Sequence, residues 1–273
     1  MRGRRARRKA AASRLPTQHE LLTEPGASLR EAMLDQTVTF ATLFGIATGM
    51  FSCALSLAFT QILNQDRLFW FMIASIFVGS VCLGTVAARR FLSAMDRLGT
   101  GLHGEQAVAF VLKDLERLGY SVFHDVPSLR RPAPANIDHV DIGPSGVFAI
   151  ETKTIRKRGN NYTIELKDQQ LCINGHPLQS DAIAQARAVA DDLAHILDRF
   201  AGQQCQVQPA VAIPGWFVRA DKIPWQQSVW VVSHNALVSL ITSPHRSTLP
   251  NGLDKKLAGA LRAHIRSVDA STS

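Results

Sequence analysis

Two uncharged apolar runs with four residues between them restrict this chain more than anything else in it. Residues 36–65 contain no charged side chain, and residues 37–63 (TVTFATLFGIATGMFSCALSLAFTQIL) are mostly apolar. Residues 68–88 (LFWFMIASIFVGSVCLGTVAA) are also uncharged. A helix needs about 20 residues to cross a hydrocarbon core of roughly 30 Å, and each run is long enough. Only Asn64-Gln65-Asp66-Arg67 separates them, so they must return as a hairpin. We read a two-span membrane hairpin over residues 37–88 rather than two buried helices of a soluble core. Trp70 suits an aromatic belt, and Arg89-Arg90 suit a cytoplasmic flank. Basic residues lie at both outer ends while the connecting loop is neutral, so both termini are expected in the cytoplasm. Neither span carries an ionisable group, which disfavours a transport pathway and leaves anchoring in a lipid bilayer. Gly45-x-x-x-Gly49 and Ser80-x-x-x-Gly84 allow close helix contact, within the hairpin or between protomers. Nothing in the sequence sets the oligomeric state.

Charge follows the same division. Lys plus Arg exceed Asp plus Glu by 30 − 22 = 8. Residues 1–36 contribute eight basic and four acidic groups, with seven basic and no acidic residues in the first fourteen. This arm can orient the hairpin or bind anionic lipid or nucleic acid. Residues 89–273 carry 21 basic and 17 acidic groups, only mildly basic and compatible with nucleic acid. The cysteines at 53, 82, 172 and 205 have no Cys-x-x-Cys spacing, so neither a zinc site nor a disulfide framework is indicated. The chain has no Gly-x-Ser-x-Gly elbow, and the Gly99-Thr100-Gly101 cluster lacks the Gly-Lys-Ser/Thr of a phosphate loop.

The chemistry-bearing stretch is Asn136 to Lys153, NIDHVDIGPSGVFAIETK. Residues 137–142 alternate apolar and polar, Gly143-Pro144-Ser145-Gly146 supplies a turn, and Val147 to Ile150 is an apolar run. Glu151 and Lys153, two apart, point to one face. If Pro144 and Ser145 are the loop residues, Gly143 faces Gly146 and Asp138 lies opposite Glu151, with Cβ atoms roughly 5 Å apart. Two carboxylates there repel by about 3 kcal/mol at an effective dielectric near 20. Such a pair calls for screening water or a bridging cation. A turn with Gly146 in a bulge shifts the register by one and puts Asp141 on the Glu151 face instead. Asp138 is the first choice and Asp141 the reserve.

An Asp on one strand and Glu-x-Lys on the next resembles the core of the PD-(D/E)xK nuclease superfamily. The step from Asp138 to Glu151 is similar to that of archaeal Holliday-junction resolvases. More narrowly, the chain resembles the nuclease-related domain family, NERD, over roughly residues 99–240. The matching segments are Gly101-Leu102-His103-Gly104-Glu105, Ile137-Asp138-His139-Val140 and Gly146 through Lys153. A later His176-Pro177-Leu178, with His176 for the usual Asn, and Gln185-Ala186-Arg187 complete the series. The resemblance implies a site in which Asp138, Glu151 and Glu105 hold Mg²⁺ or Mn²⁺, the Thr152 carbonyl completes the shell, and Lys153 is catalytic. Such ions prefer carboxylate oxygens and retained waters. Glu105, read alone, is equally explained by the dipole of a helix starting at Gly104. Gln185 can reach the acids or serve as an ordinary surface amide. Arg156, Lys157 and Arg158, a basic turn beyond Lys153, are candidate phosphate contacts or simply solvated. His139 points to the opposite strand face from Asp138 and is read as structural.

The expected fold is α/β: a transmembrane hairpin (residues 37–63 and 68–88), a linker (89–103) and a restriction-endonuclease-like domain (104–268) with a mixed central sheet flanked by helices. An amphipathic helix over Gly104 to Leu118 presents Val108, Val111, Leu112, Leu115 and Leu118. Strands follow at Tyr120–Val126, in the Asn136–Lys153 hairpin, at Tyr162–Leu166 and at Gln170–Ile173. Helices are expected at 179–200, 235–241 and 253–266, and buried strands at Val207–Ile213 and Ser228–Val232. Trp216, Trp225 and Trp230 are expected in the core. Three functions fit: a membrane-tethered, metal-dependent DNA or RNA nuclease, a non-catalytic nucleic-acid binder with that fold, or a membrane scaffold with a vestigial acidic cluster.

Overall fold

The computed structural model describes residues 24–60, 67–129, 136–157, 163–220, 228–243 and 248–272. Residues 1–23, which hold the basic cluster, residues 61–66 with the connecting loop, Arg130, Arg131, Arg158 and Trp225 lie outside them.

Helices α1 (Ala27–Thr60) and α2 (Arg67–Arg117) form the hairpin, and both are long and apolar enough to cross a membrane. At 1.5 Å per residue they extend about 51 and about 77 Å. Phe44, Ile46, Leu55, Phe59, Leu68 and Phe71 are exposed, whereas Ala47, Ala54, Ile73, Ser80 and Ala87 are buried. Small residues therefore line the seam between the helices, and large apolar ones face outward. Ala47 packs beside Gly84, while a Cβ added at Gly45 or Gly49 would meet nothing within 4 Å among the described residues.

α2 corrects the expected helix start at Gly104, because residues 89–103 are helical throughout. The Gly99-Thr100-Gly101 cluster does not interrupt it. Gly99 and Gly101 instead admit Met33 and Leu29 of α1 at close range. Leu118 lies beyond the helix end and is exposed, unlike Val108, Leu112 and Leu115 on the buried stripe.

Five strands form the main sheet: β1 (Ser121–Val126), β2 (Ile137–Gly143), β3 (Gly146–Thr152), β7 (Val207–Ile213) and β9 (Trp230–Ser233), in that order. β1, β2 and β3 run antiparallel, and β3, β7 and β9 are parallel. The described residues form three further helices, α3 (Ala182–Ala201), α4 (Leu237–Ile241, after a 3₁₀ turn at His234–Ala236) and α5 (Leu253–Thr272). Leu193, Ile196 and Leu197 of α3 and Leu257, Leu261 and Ile265 of α5 pack against Val140, Ile142, Val147 and Ala149. Val108, Leu112 and Leu115 of α2, with Leu237 and Ile241 of α4, cover Phe148, Ile150, Ala210 and Ala212 on the other face. Alternation along β2 and β3 divides these two sets, so helices sandwich a mixed sheet. Trp216 and Trp230 are buried, as expected.

The hairpin expected at Tyr162–Leu166 and Gln170–Ile173 forms, and its extension into a second sheet was not foreseen. β4 (Thr163–Lys167) and β5 (Gln170–Ile173) are joined by β6 (His176–Pro177) and β8 (Phe217–Ala220) in the order β6-β5-β4-β8. The His176-Pro177-Leu178 segment thus serves as an edge strand, with the Leu178 N–H donating to the Leu171 carbonyl.

Candidate active site

The β2–β3 ladder pairs Gly143 with Gly146, Ile142 with Val147 and His139 with Ile150. Continuing that register puts Asp138 opposite Glu151 at the end of the sheet. The reserve arrangement is not formed, because Asp141 pairs with Phe148 on the other face. Asp141 is fully buried, and neither carboxylate oxygen has a hydrogen-bond partner among the described residues. Burial, with Glu116 adding repulsion, holds its carboxyl well above the usual range.

Two helices converge where β3 ends. Gly104 lets α2 approach from one face: a Cβ there would lie 1.8 Å from Thr154 Oγ1. This close seating carries Glu105 to the acids on the strands. From the other face, Gln185 of α3 donates a side-chain hydrogen bond to the Glu151 carboxylate. Its neighbours account for the rest of the Gln-Ala-Arg motif. Ala186 is buried, and Arg187 donates to Gln169 and, at 3.0 Å, to Ser228 Oγ. The Thr152 N–H donates to Asp138 Oδ2 at 2.7 Å, and the Lys153 N–H donates to the Ala212 carbonyl at 2.9 Å. Lys153 is close enough for its charge to lower both acids.

Electrostatics mark this cluster out. Glu151 is 5% exposed, and its Oε2 has no hydrogen-bond partner among the described residues. Burial first, then the facing Asp138, pushes its carboxyl up to about 9. Burial, then Asp138 and Asp125, pushes Glu105 up to about 8. Burial likewise raises Asp138, against the pull of the Thr152 N–H. The dipole explanation for Glu105 falls, since this residue lies deep inside α2 rather than in its first turn.

Asp125 was missed. The β1–β2 ladder pairs His124 with His139 and Val126 with Ile137, which sets Asp125 beside Asp138. Asp125 is buried at φ 51°, a left-handed conformation that a non-glycine residue seldom adopts within a strand. Asn136 Nδ2 donates to its Oδ1 at 2.9 Å, and the Ser28 N–H donates to its Oδ2. The only signal for it was an acid in the Phe-His-Asp strand, and the loop before β2 concealed the register.

His139 is fully buried. Its Nε2 lies 3.1 Å from Thr152 Oγ1 and its Nδ1 2.8 Å from His124 Nδ1. It braces the Glu-Thr-Lys strand from behind, and burial keeps it well below the ordinary histidine range. Arg156 does not stand free beside the acids. It forms an ion pair with Asp96 of α2 and donates to Thr100 Oγ1 at 3.0 Å. Lys157 lies near Gly215.

Mg²⁺ or Mn²⁺ suits this donor set in charge, because buried, mutually repelling carboxylates and an orphaned Glu151 oxygen are what a dication would relieve. The side chains as they stand are not gathered into a coordination sphere. Among the described residues no three His, Cys, Asp or Glu side chains converge as ligands.

A helix-flanked mixed sheet with Asp on β2, Glu-x-Lys closing β3 and Glu on the preceding helix defines a nuclease-like α/β domain of the PD-(D/E)xK type. Residues 100–214 match the family model NERD, the nuclease-related domain. No curated protein and no solved structure is significantly similar to the chain.

Proposed function

We propose that this protein is a membrane-anchored, Mg²⁺- or Mn²⁺-dependent nuclease that hydrolyses phosphodiester bonds in DNA or RNA at the cytoplasmic surface. The observation that carries this reading is the Glu151 carboxylate. It is buried, has an unpartnered oxygen, lies opposite Asp138 and has Lys153 two residues on. A protein built only for stability gains nothing from that arrangement.

Asp138, Glu151, Glu105 and the Thr152 carbonyl would hold the cation. A bound Mg²⁺ or Mn²⁺ supplies Lewis acidity and lowers the pKa of a coordinated water. Lys153 then has an electrostatic role: its ammonium stabilises charge developing on the phosphate. Gln185 orients Glu151 through its hydrogen bond. The outward-facing apolar side chains of α1 and α2 support a bilayer anchor.

The test uses the full chain in detergent, because α1 packs on the site. Wild type and Glu151→Ala are compared on single-stranded, duplex and branched DNA and RNA with Mg²⁺ or Mn²⁺. Cutting by wild type that the variant lacks supports the enzyme. Binding without cutting supports a non-catalytic binder, and neither activity supports a scaffold.

A further inference from the structure

The first turn of α1 rests on the acids. Gly26 accepts the first helical hydrogen bond, from the Arg30 N–H, so the N–H groups of Gly26 and Ser28 have no intrahelical acceptor. Both point at carboxylates. The Ser28 N–H donates to Asp125 Oδ2, and the Gly26 N–H donates to Glu105. Gly26 sits at φ +71°, and a Cβ there would come 2.2 Å from Leu102 Cδ1 and 3.3 Å from Glu105 Oε2. The turn is therefore pressed onto α2 directly above Glu105. Leu29 against Gly101 and Met33 against Gly99 hold the following residues in the same seat. The positive end of a helix thus meets two carboxylates beside Asp138, where positive charge is favourable.

We propose that this turn is a built-in cap on the acidic site, which must release Asp125 and Glu105 when a divalent cation is taken up. The proposal rests on the metal-site reading above and adds two things to it. Asp125 becomes a fourth acid of the cluster. The seating of α1, the helix that continues into the apolar hairpin, becomes the control on cation access. Cap and cation compete for the same oxygens, so each weakens the other.

Two full-length variants in nanodiscs test this. Ser28→Pro removes the donor, and proline is tolerated in a helix's first turn. Asp125→Asn removes the charge, and asparagine accepts the left-handed backbone. Backbone amide exchange over residues 24–30 is measured by mass spectrometry, and Mn²⁺ binding by electron paramagnetic resonance. A hydrogen bond to a charged group corresponds to about a tenfold or larger factor. We expect Ser28→Pro to bind Mn²⁺ about tenfold more tightly than wild type. Exchange over residues 24–30 should quicken in Asp125→Asn without cation, and in wild type when Mn²⁺ saturates. Mn²⁺ binding that leaves this exchange unchanged overturns the cap alone. So does equal affinity of Ser28→Pro and wild type. Absence of Mn²⁺ binding in both overturns the cap together with the metal site.

Discussion

The hairpin and the α/β domain depart from the usual partition of polar and apolar surface in opposite directions. α1 and α2 hold Phe59 and Leu68 at 79% exposure and Phe71 at 70%, side chains that water disfavours. The domain instead buries Glu105, Asp125 and Glu151, side chains that a low dielectric disfavours. Hydrocarbon would answer the first departure and positive charge the second. Asp141 sharpens the contrast. It is more deeply buried than Glu151, yet it pairs across the ladder with Phe148 and Val122, and its carboxylate has no hydrogen-bond partner among the described residues. Clustering with Lys153 and Gln185, rather than burial, is what distinguishes the site.

The largest effect is expected at Lys153. Lys153→Ala should lower cleavage by about 100-fold or more, the size lost with one transition-state donor, while Mn²⁺ binding stays measurable. Undiminished cutting by that variant would remove the electrostatic role. On the other side of the comparison, Ile46→Arg puts a charge on the exposed face of α1. In a bilayer this costs about 2.5–3.5 kcal/mol and should reduce membrane insertion. On a water-exposed face the same change would improve solubility, so flotation with lipid vesicles tells the two environments apart.

The acids also make a prediction about pH. Glu105 and Glu151 are raised from an ordinary 4.5 to about 8 and about 9, so the folded state retains protons that the unfolded chain has released. Stability is then lost as pH rises from about 4.5 through those values. Cation-free protein should melt several degrees lower at pH 9 than at pH 5. Glu151→Gln should shrink that drop and melt above wild type at pH 9. An equal drop in both proteins would show that Glu151 carries no such strain.

Much of this was legible in the residues, and the failures have physical causes. The two long apolar helices, the β2–β3 turn and the register bringing Asp138 opposite Glu151 follow from charge-free length and period-two alternation. β7 spans the expected Val207–Ile213. Short-range signals carry all of these. Asp125 was hidden because its partner strand lies across a loop whose length does not determine pairing. β6 and β8 are two and four residues long and exist only by pairing across the chain. Helix propensity misled at residues 99–101, where glycines usually interrupt a helix. There Gly101 lets Leu29 of α1 approach closely, which only tertiary structure reveals.

The smallest effect concerns that same use of glycine, one turn further on. Gly104 keeps α2 against the end of β3, and Glu105 reaches the acids because of it. Gly104→Ala would set a methyl group 1.8 Å from Thr154 Oγ1. Either α2 withdraws or Thr154 rotates. Thr154 Oγ1 is buried without a hydrogen-bond partner among the described residues, so only packing opposes rotation. The cost should be that of ordinary overpacking, about 1–3 kcal/mol, partly offset by alanine's better helix propensity. Adding Thr154→Ala removes the hydroxyl and should recover most of the loss in a denaturant titration, with Thr154→Ala alone close to neutral. If Gly104→Ala is instead as stable as wild type and leaves the pH dependence of Glu105 unaltered, close approach of the helix is not what seats that acid. The cluster would then owe its geometry to the β2–β3 ladder alone.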